Sequence, residues 1–174
     1  MGELILILGG ARSGKSRFAV ELAKESRRKV TFVATCVPRD GEMRERLLLH
    51  QRDRPKTWTT IEEGENLLSL FERGLTGTVI IDCLTLYLSN LLLDGWDDEE
   101  IRREVKDIIH QIKDGDADCI VVSNEVGMGI VPETYLGRRF RDLAGRANQM
   151  LAGEADEVYL IAAGIPLKIK GKGD

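Results

Sequence analysis

Apolar, β-branched runs alternate along the chain with segments whose apolar residues recur every three or four positions. The runs Leu4–Leu8, Val30–Ala34, Thr78–Asp82, Cys119–Ser123 and Glu157–Ala162 predict strands. Most are nearly continuous rather than alternating, as in strands covered on both faces. Helical spacing predicts helices over Lys15–Ser26, Glu42–His50, Glu65–Arg73, Leu84–Leu92, Asp98–Lys113 and Tyr135–Ala152. Strands separated by helices imply right-handed crossovers, hence a mostly parallel central sheet in a three-layer α/β fold. A short final strand near Leu167–Lys170 is available to pair at an edge, antiparallel. There is no internal repeat, low-complexity tract or linker, so residues 1–174 read as a single domain. In such sheets ligands sit at the carboxyl ends of the strands, and the polar residues there carry the candidate chemistry.

The first strand runs into Gly9-Gly10-Ala11-Arg12-Ser13-Gly14-Lys15-Ser16, which meets the pattern G-x-x-x-x-G-K-[ST] at every fixed position. A helix with Phe18, Ala19, Leu22 and Ala23 at helical spacing follows. That strand–loop–helix context favours a phosphate-binding loop over a Gly-rich turn that merely feeds a helix. Backbone N–H groups and the positive helix end would cradle phosphates. Lys15 would reach the β- and γ-phosphates, and the Ser16 hydroxyl would ligate Mg²⁺. The acid closing the strand Thr78–Asp82 is the usual second half of such a site: Asp82 would hold Mg²⁺, or else cap the next helix. Ala34, Thr35 and Cys36 end the second strand and would line the same crevice, where Thr35 either bonds a phosphate or simply finishes the strand. The fourth strand opens into Ser123-Asn124-Glu125-Val126-Gly127-Met128-Gly129-Ile130-Val131-Pro132, an ordered loop that brings Asn124 and Glu125 to the active edge, for contact or for structure.

His50 follows Arg44 and Arg46 and precedes Gln51, Arg52, Asp53 and Arg54. A neutral imidazole attacks phosphorus competently when cations stabilise the developing charge. A lone histidine near a helix end is more often a capping or surface residue, and residue chemistry alone leaves both readings open. His110 belongs to a solvated helix face. The run Asp97–Glu100 opens a helix, where acids complement the dipole. Arg138, Arg139, Arg141 and Arg146 read as a solvated or subunit-facing stripe.

A net charge of −4, with 31% charged and 43% hydrophobic residues, implies no broad basic surface and argues against a dedicated nucleic-acid partner. No apolar run approaches the roughly 20 residues of a membrane span, and no signal peptide is present. Cys36, Cys83 and Cys119 show neither zinc spacing nor a disulfide framework, which points to the cytoplasm.

Several segments together resemble one family. They are G-G-A-R-S-G-K-S from Gly9, A-T-C from Ala34, H-x-x-x-R-P-x-x-W from His50 to Trp58, N-E-V-G-M-G-I-V-P from Asn124, the stretch Phe140–Gln149, and Ala163–Lys168. The chain resembles the bifunctional adenosylcobinamide kinase/adenosylcobinamide-phosphate guanylyltransferase family of cobalamin biosynthesis. The resemblance implies a single P-loop NTPase domain, ATP and GTP as substrates with Mg²⁺, and a homotrimer. It implies phosphorylation of the aminopropanol hydroxyl of adenosylcobinamide. His50 would then attack the α-phosphate of GTP, and the GMP would pass to adenosylcobinamide phosphate. Gly9 to Ser16 would bind the triphosphate, Ala34, Thr35 and Cys36 would line the site, and Gln51, Arg52, Asp53 and Arg54 would accompany His50 on the nucleotide. Glu62, or Glu63 beside it, stands where the family has a nucleotide-contacting acid. Two readings compete: a P-loop small-molecule kinase without covalent nucleotidyl transfer, and a GTP-dependent switch or binding module.

Overall fold

The apolar runs pair into one seven-stranded sheet in the order β3-β2-β4-β5-β1-β6-β7. The computed structural model describes residues 2–37 and 55–172. The helix predicted over Glu42–His50, and the candidates His50, Gln51, Arg52, Asp53 and Arg54, lie outside the described residues. The strands are β1 (Leu4–Gly9), β2 (Val30–Ala34), β3 (Thr59–Glu62), β4 (Thr76–Asp82), β5 (Asp116–Asn124), β6 (Glu157–Ala162) and β7 (Ile165–Lys170). The described helices are α1 (Lys15–Glu25), α2 (Leu67–Glu72), α3 (Leu84–Leu93), α4 (Asp98–Asp114) and α5 (Tyr135–Glu154). All neighbouring strands are parallel except β6 and β7, which form the expected antiparallel edge.

The continuous apolar runs are explained by burial on both sides. In β4, Val79 and Ile81 face one core with Leu4, Leu6, Leu88 and Ile108, while Ile80 faces a second core with Ile7, Phe32 and the α1 residues Ala19 and Ala23. Each such side chain contributes about 1.5–3 kcal/mol when removed from water. Tyr87, fully buried on α3, donates its hydroxyl to Glu104 on α4 at 2.6 Å and accepts the Leu67 N–H of α2 at 3.4 Å. One side chain thus joins three helices above the sheet. The acids at the start of α4 form a capping box, in which Asp97 accepts from the Glu99 and Glu100 N–H groups and Glu100 accepts from the Asp97 N–H.

Strand β3 was not among the predicted strands. It pairs with β2 at the sheet edge, and three of its four residues are exposed, so it carries no apolar run to reveal it. The predicted strands Thr78–Asp82 and Cys119–Ser123 also extend further at their amino ends, through Thr76-Gly77 and Asp116-Ala117-Asp118.

At the amino ends of the strands, ionic groups tie the sheet together. The Asp156 carboxylate accepts the Leu4 N–H at 2.8 Å and the Lys113 ammonium at 3.0 Å, linking β1, β6 and α4. Arg28 pairs with Asp118 and donates to the Asp116 carbonyl at 3.1 Å. Burial pushes the Asp156 carboxyl upward, but the Leu4 N–H and Lys113 outweigh it and hold it below the usual aspartate range. A depressed folded-state value means stability that is present at neutral pH and lost as pH falls through that value. Asp156→Asn is therefore expected to cost about 1 kcal/mol at neutral pH, where the pair is intact. Urea denaturation of both proteins across pH should show this gap closing below the ordinary aspartate range.

Candidate active site

The turn between β1 and α1 lies at the carboxyl end of the sheet. Gly9 pairs with Asn124 of β5 on one side and Ile161 of β6 on the other. The Glu125 N–H donates to the Gly9 carbonyl at 2.9 Å. Gly14 is the N-cap of α1, in the left-handed region at φ 99°, and no side chain caps the helix. A side chain at that φ would be strained, and the unfilled N–H groups of the first turn are left for an anion. Gly10, Ala11 and Arg12 are exposed on the loop, and Ser16 is half-buried at the start of α1. The Ser13 hydroxyl is buried with no hydrogen-bond partner among the described residues.

Lys15 is 6% exposed, and its ammonium donates to the Gly10 carbonyl at 2.6 Å. Burial lowers its pKa, while Cys83 and Asp82 act in the opposite direction. The Cys83 thiol is itself pushed up to about 11, by burial first and by Asp82 second. It is uncharged at neutral pH, so Asp82 is the charge that Lys15 meets. The lysine of the loop and the acid closing β4 thus share one electrostatic field, with the end of β5 between their strands.

The other strand ends form a row. Ala34 of β2 pairs with Asp82 of β4 on one side and Glu62 of β3 on the other. Thr35 is fully buried. Its hydroxyl donates to the Cys83 carbonyl at 2.7 Å and accepts the Cys83 N–H at 2.8 Å. It therefore turns inward and fixes the segment after Asp82, while Cys36 is the half-buried residue of the pair. Asn90 donates to the carbonyls of Thr35 and Gly64 at 3.0 and 2.9 Å, tying the ends of β2 and β3 to α3.

Glu62 and Glu63 are separated by geometry. The Glu63 carboxylate accepts the N–H groups of Glu65 and Asn66 at 2.9 and 2.8 Å, and so shapes the turn into α2. Glu62 is exposed at the strand end, in register with Ala34 and Asp82.

Thr85 and Asn90 were not found by sequence reasoning. Thr85 accepts both the main-chain N–H of Asn124 at 3.3 Å and its side-chain amide at 3.1 Å. Its lone pairs are thereby occupied, so its proton goes to Cys83 Sγ at 3.2 Å. Asn148 donates to the Asn124 carbonyl at 3.3 Å and accepts from Ser123 at 2.6 Å. Both missed residues sit inside a predicted apolar helix, where neither periodicity nor motif marks them.

The sequence profile described as cobinamide kinase / cobinamide phosphate guanyltransferase matches residues 5–169. The chain belongs to this family. It is 41% identical to "Bifunctional adenosylcobalamin biosynthesis protein CobU" of Escherichia coli, over 96% of this chain and 99% of that protein. It is 42% identical to "Bifunctional adenosylcobalamin biosynthesis protein CobP" of Pseudomonas aeruginosa, over 96% and 97% respectively. Among solved structures, the RadB recombinase aligns with a TM-score of 0.51 at 14% identity, over 91% of this chain and 74% of that one. An ATPase of a type III secretion system aligns with a TM-score of 0.54 at 13% identity, over 92% and 52%. These two likenesses concern the fold alone.

In this cobinamide kinase/guanyltransferase chain, the inward-facing Thr35 provides a direct test of how the strand ends are held. Thr35→Val keeps the shape, leaves the buried Cys83 N–H unpaired and leaves the Cys83 carbonyl only the Tyr87 N–H at 3.3 Å, at an expected cost of about 1–3 kcal/mol. Denaturant unfolding of the two proteins measures it.

Proposed function

We propose that this chain phosphorylates the aminopropanol hydroxyl of adenosylcobinamide with a nucleoside triphosphate, and then transfers GMP from GTP through a GMP–His50 intermediate to give adenosylcobinamide-GDP. Both reactions are assigned to one domain spanning 1–174. The observation that carries the reading is the uncapped first turn of α1, with the buried Lys15 ammonium held on the Gly10 carbonyl of the loop at 2.6 Å, in a chain of this family.

In the kinase step the acceptor oxygen bonds the γ-phosphorus, the bond to the bridging oxygen breaks, and the nucleoside diphosphate departs. The N–H groups from Gly9 to Ser16 and the Lys15 ammonium stabilise charge on the transferred group. In the second reaction an imidazole nitrogen of His50 bonds the α-phosphorus of GTP and pyrophosphate leaves. The phosphate oxygen of adenosylcobinamide phosphate then displaces His50 and takes the GMP. Dividing nucleotidyl transfer into two displacements is the advantage of a covalent nucleophile. Gln51, Arg52, Asp53 and Arg54 are assigned to the nucleotide by their place beside His50, and Glu62 is preferred to Glu63 because the latter already shapes the α2 turn.

The donor set fits Mg²⁺. Among the described residues no cluster of three or more acids, histidines or cysteines is placed to hold a metal. What remains is one hydroxyl, Ser16, and one carboxylate, Asp82. Hard oxygen donors few in number suit Mg²⁺, which takes its other ligands from phosphates and water. When bound it supplies neutralisation of phosphate charge.

The family's homotrimer is adopted as the assembly. Support comes from the apolar surface of the loop after β5 and of β7, where Met128 is 81% exposed, Ile130 95% and Ile165 70%. No described helix is long and apolar enough to cross a membrane. The free cysteines Cys36, Cys83 and Cys119 support action in the cytoplasm.

The test is incubation with Mg²⁺ and GTP labelled at the α-phosphate, followed by denaturing electrophoresis. Wild type is expected to carry an acid-labile label that His50→Ala lacks, while His50→Ala still phosphorylates cobinamide. Label on His50→Ala, or none on wild type, would sink the covalent step. Lys15→Met is expected to lower both reactions by about 100-fold or more, since both use the same phosphate cradle. Steady-state rates of phosphoryl transfer and pyrophosphate release check this.

A further inference from the structure

Strand β6 does not end beside the phosphate loop and leave it. Ala162 pairs with Ile165, so Ala163 and Gly164 form a two-residue hairpin turn with φ of 51° and 82°. Positive φ at both positions is the signature of the tight turn that matches strand twist. The tip of this hairpin reaches the loop between β1 and α1. The Gly164 N–H donates to the Ser13 carbonyl at 2.9 Å. A Cβ built on Gly14 would lie 3.4 Å from the Gly164 Cα and 3.9 Å from Ile161 Cγ2. A Cβ built on Gly164 would in turn lie 3.4 Å from Arg17 Nη2. The two glycines therefore pack backbone against backbone.

The consequence follows from the planarity of the peptide group. In a trans peptide the carbonyl of one residue and the N–H of the next point in opposite directions. Gly164 holds the Ser13 carbonyl, so the Gly14 N–H is turned to the side away from the hairpin. Among the described residues that N–H donates to no acceptor. We propose that the Ala163–Gly164 turn is a positioning element of the phosphate loop: it locks the Ser13–Gly14 peptide plane so that the Gly14 N–H is aimed at phosphate before any nucleotide arrives. The family segment Ala163–Lys168 thereby acquires a physical task at the nucleotide site, although its own side chains lie on the edge hairpin. A donor fixed in advance requires no reorganisation on binding, which is where preorganised loops gain affinity.

The inference rests on the phosphate-loop reading above, and the experiment separates the two. The probe is inorganic tripolyphosphate, which has no base or sugar. Its affinity is measured by calorimetry for wild type, Gly164→Asn and Gly164→Val, with thermal unfolding of each unliganded protein alongside. Asparagine tolerates positive φ and keeps the N–H, so Gly164→Asn is expected to bind within about twofold of wild type. A β-branched residue cannot hold that φ without strain, so Gly164→Val is expected to bind about tenfold more weakly, and Gly164→Ala to fall between if the valine variant does not fold. In wild type and Gly164→Asn the Gly14 amide resonance should move on adding tripolyphosphate, a shift that mere loss of stability does not remove. Equal affinity of wild type and the valine or alanine variant overturns the proposal, as does an equal loss in Gly164→Asn. Failure of wild type itself to bind tripolyphosphate overturns the phosphate-loop reading and this inference with it.

Discussion

Burial on both faces is the constraint on which the rest of this structure depends. The central strands have no solvent side, so every residue along them must be apolar or internally satisfied. Charged groups are consequently driven to the two ends of the sheet. The amino end receives Asp156, Lys113, Arg28 and Asp118, which are engaged with one another or with the backbone. The carboxyl end receives the uncapped helix start, Lys15, Asp82 and Glu62. One end is neutralised from within the chain, and the other keeps backbone donors for a ligand.

The rim at the carboxyl end is rigid without being apolar. Thr35 satisfies both main-chain groups of Cys83, Asn90 spans two carbonyls, and Thr85 links α3 to Asn124. Asn148 and Ser123 hold the same strand end from α5. A fully paired buried network of this kind fixes where the strand ends lie, whereas a half-paired one would be costly. The ends of β2, β4 and β5 are thus held in place by side chains paired with one another and with the backbone.

Much of this was legible in the chain. The five apolar runs and the final edge strand all appear in the sheet, because two-sided burial writes itself as uninterrupted hydrophobicity. The motif from Gly9 to Ser16 announced the loop, because a sharp turn near phosphate requires particular residues at particular positions. Strand β3 was hidden, because an edge strand with an exposed Thr59-Thr60 and Glu62 carries no such imprint. The inward turn of Thr35 was hidden too: a hydroxyl at a strand end reads the same whether it faces a crevice or a neighbouring backbone. The roles of Thr85 and Gly164 depend on partners tens or more than a hundred residues away, and no local pattern encodes such distances. His50 and its neighbours were singled out by motif, and they lie outside the described residues.

The pairing of Glu62 with Glu63 has a further meaning for how this edge can vary. Alternate residues of a strand face opposite sides, so a slip of one position would exchange the two acids. Hydrophobic burial does not guard against such a slip here, because the strand has little of it. The Glu63 N–H bond to the Ala34 carbonyl at 2.9 Å and the Glu63 carboxylate on the α2 turn set the register instead. Side chains at Thr59 and Thr60 are then free to drift between related chains, but the spacing from Glu62 to Asn66 is not. Insertions and deletions should be excluded from that short stretch even where its neighbours tolerate almost any residue.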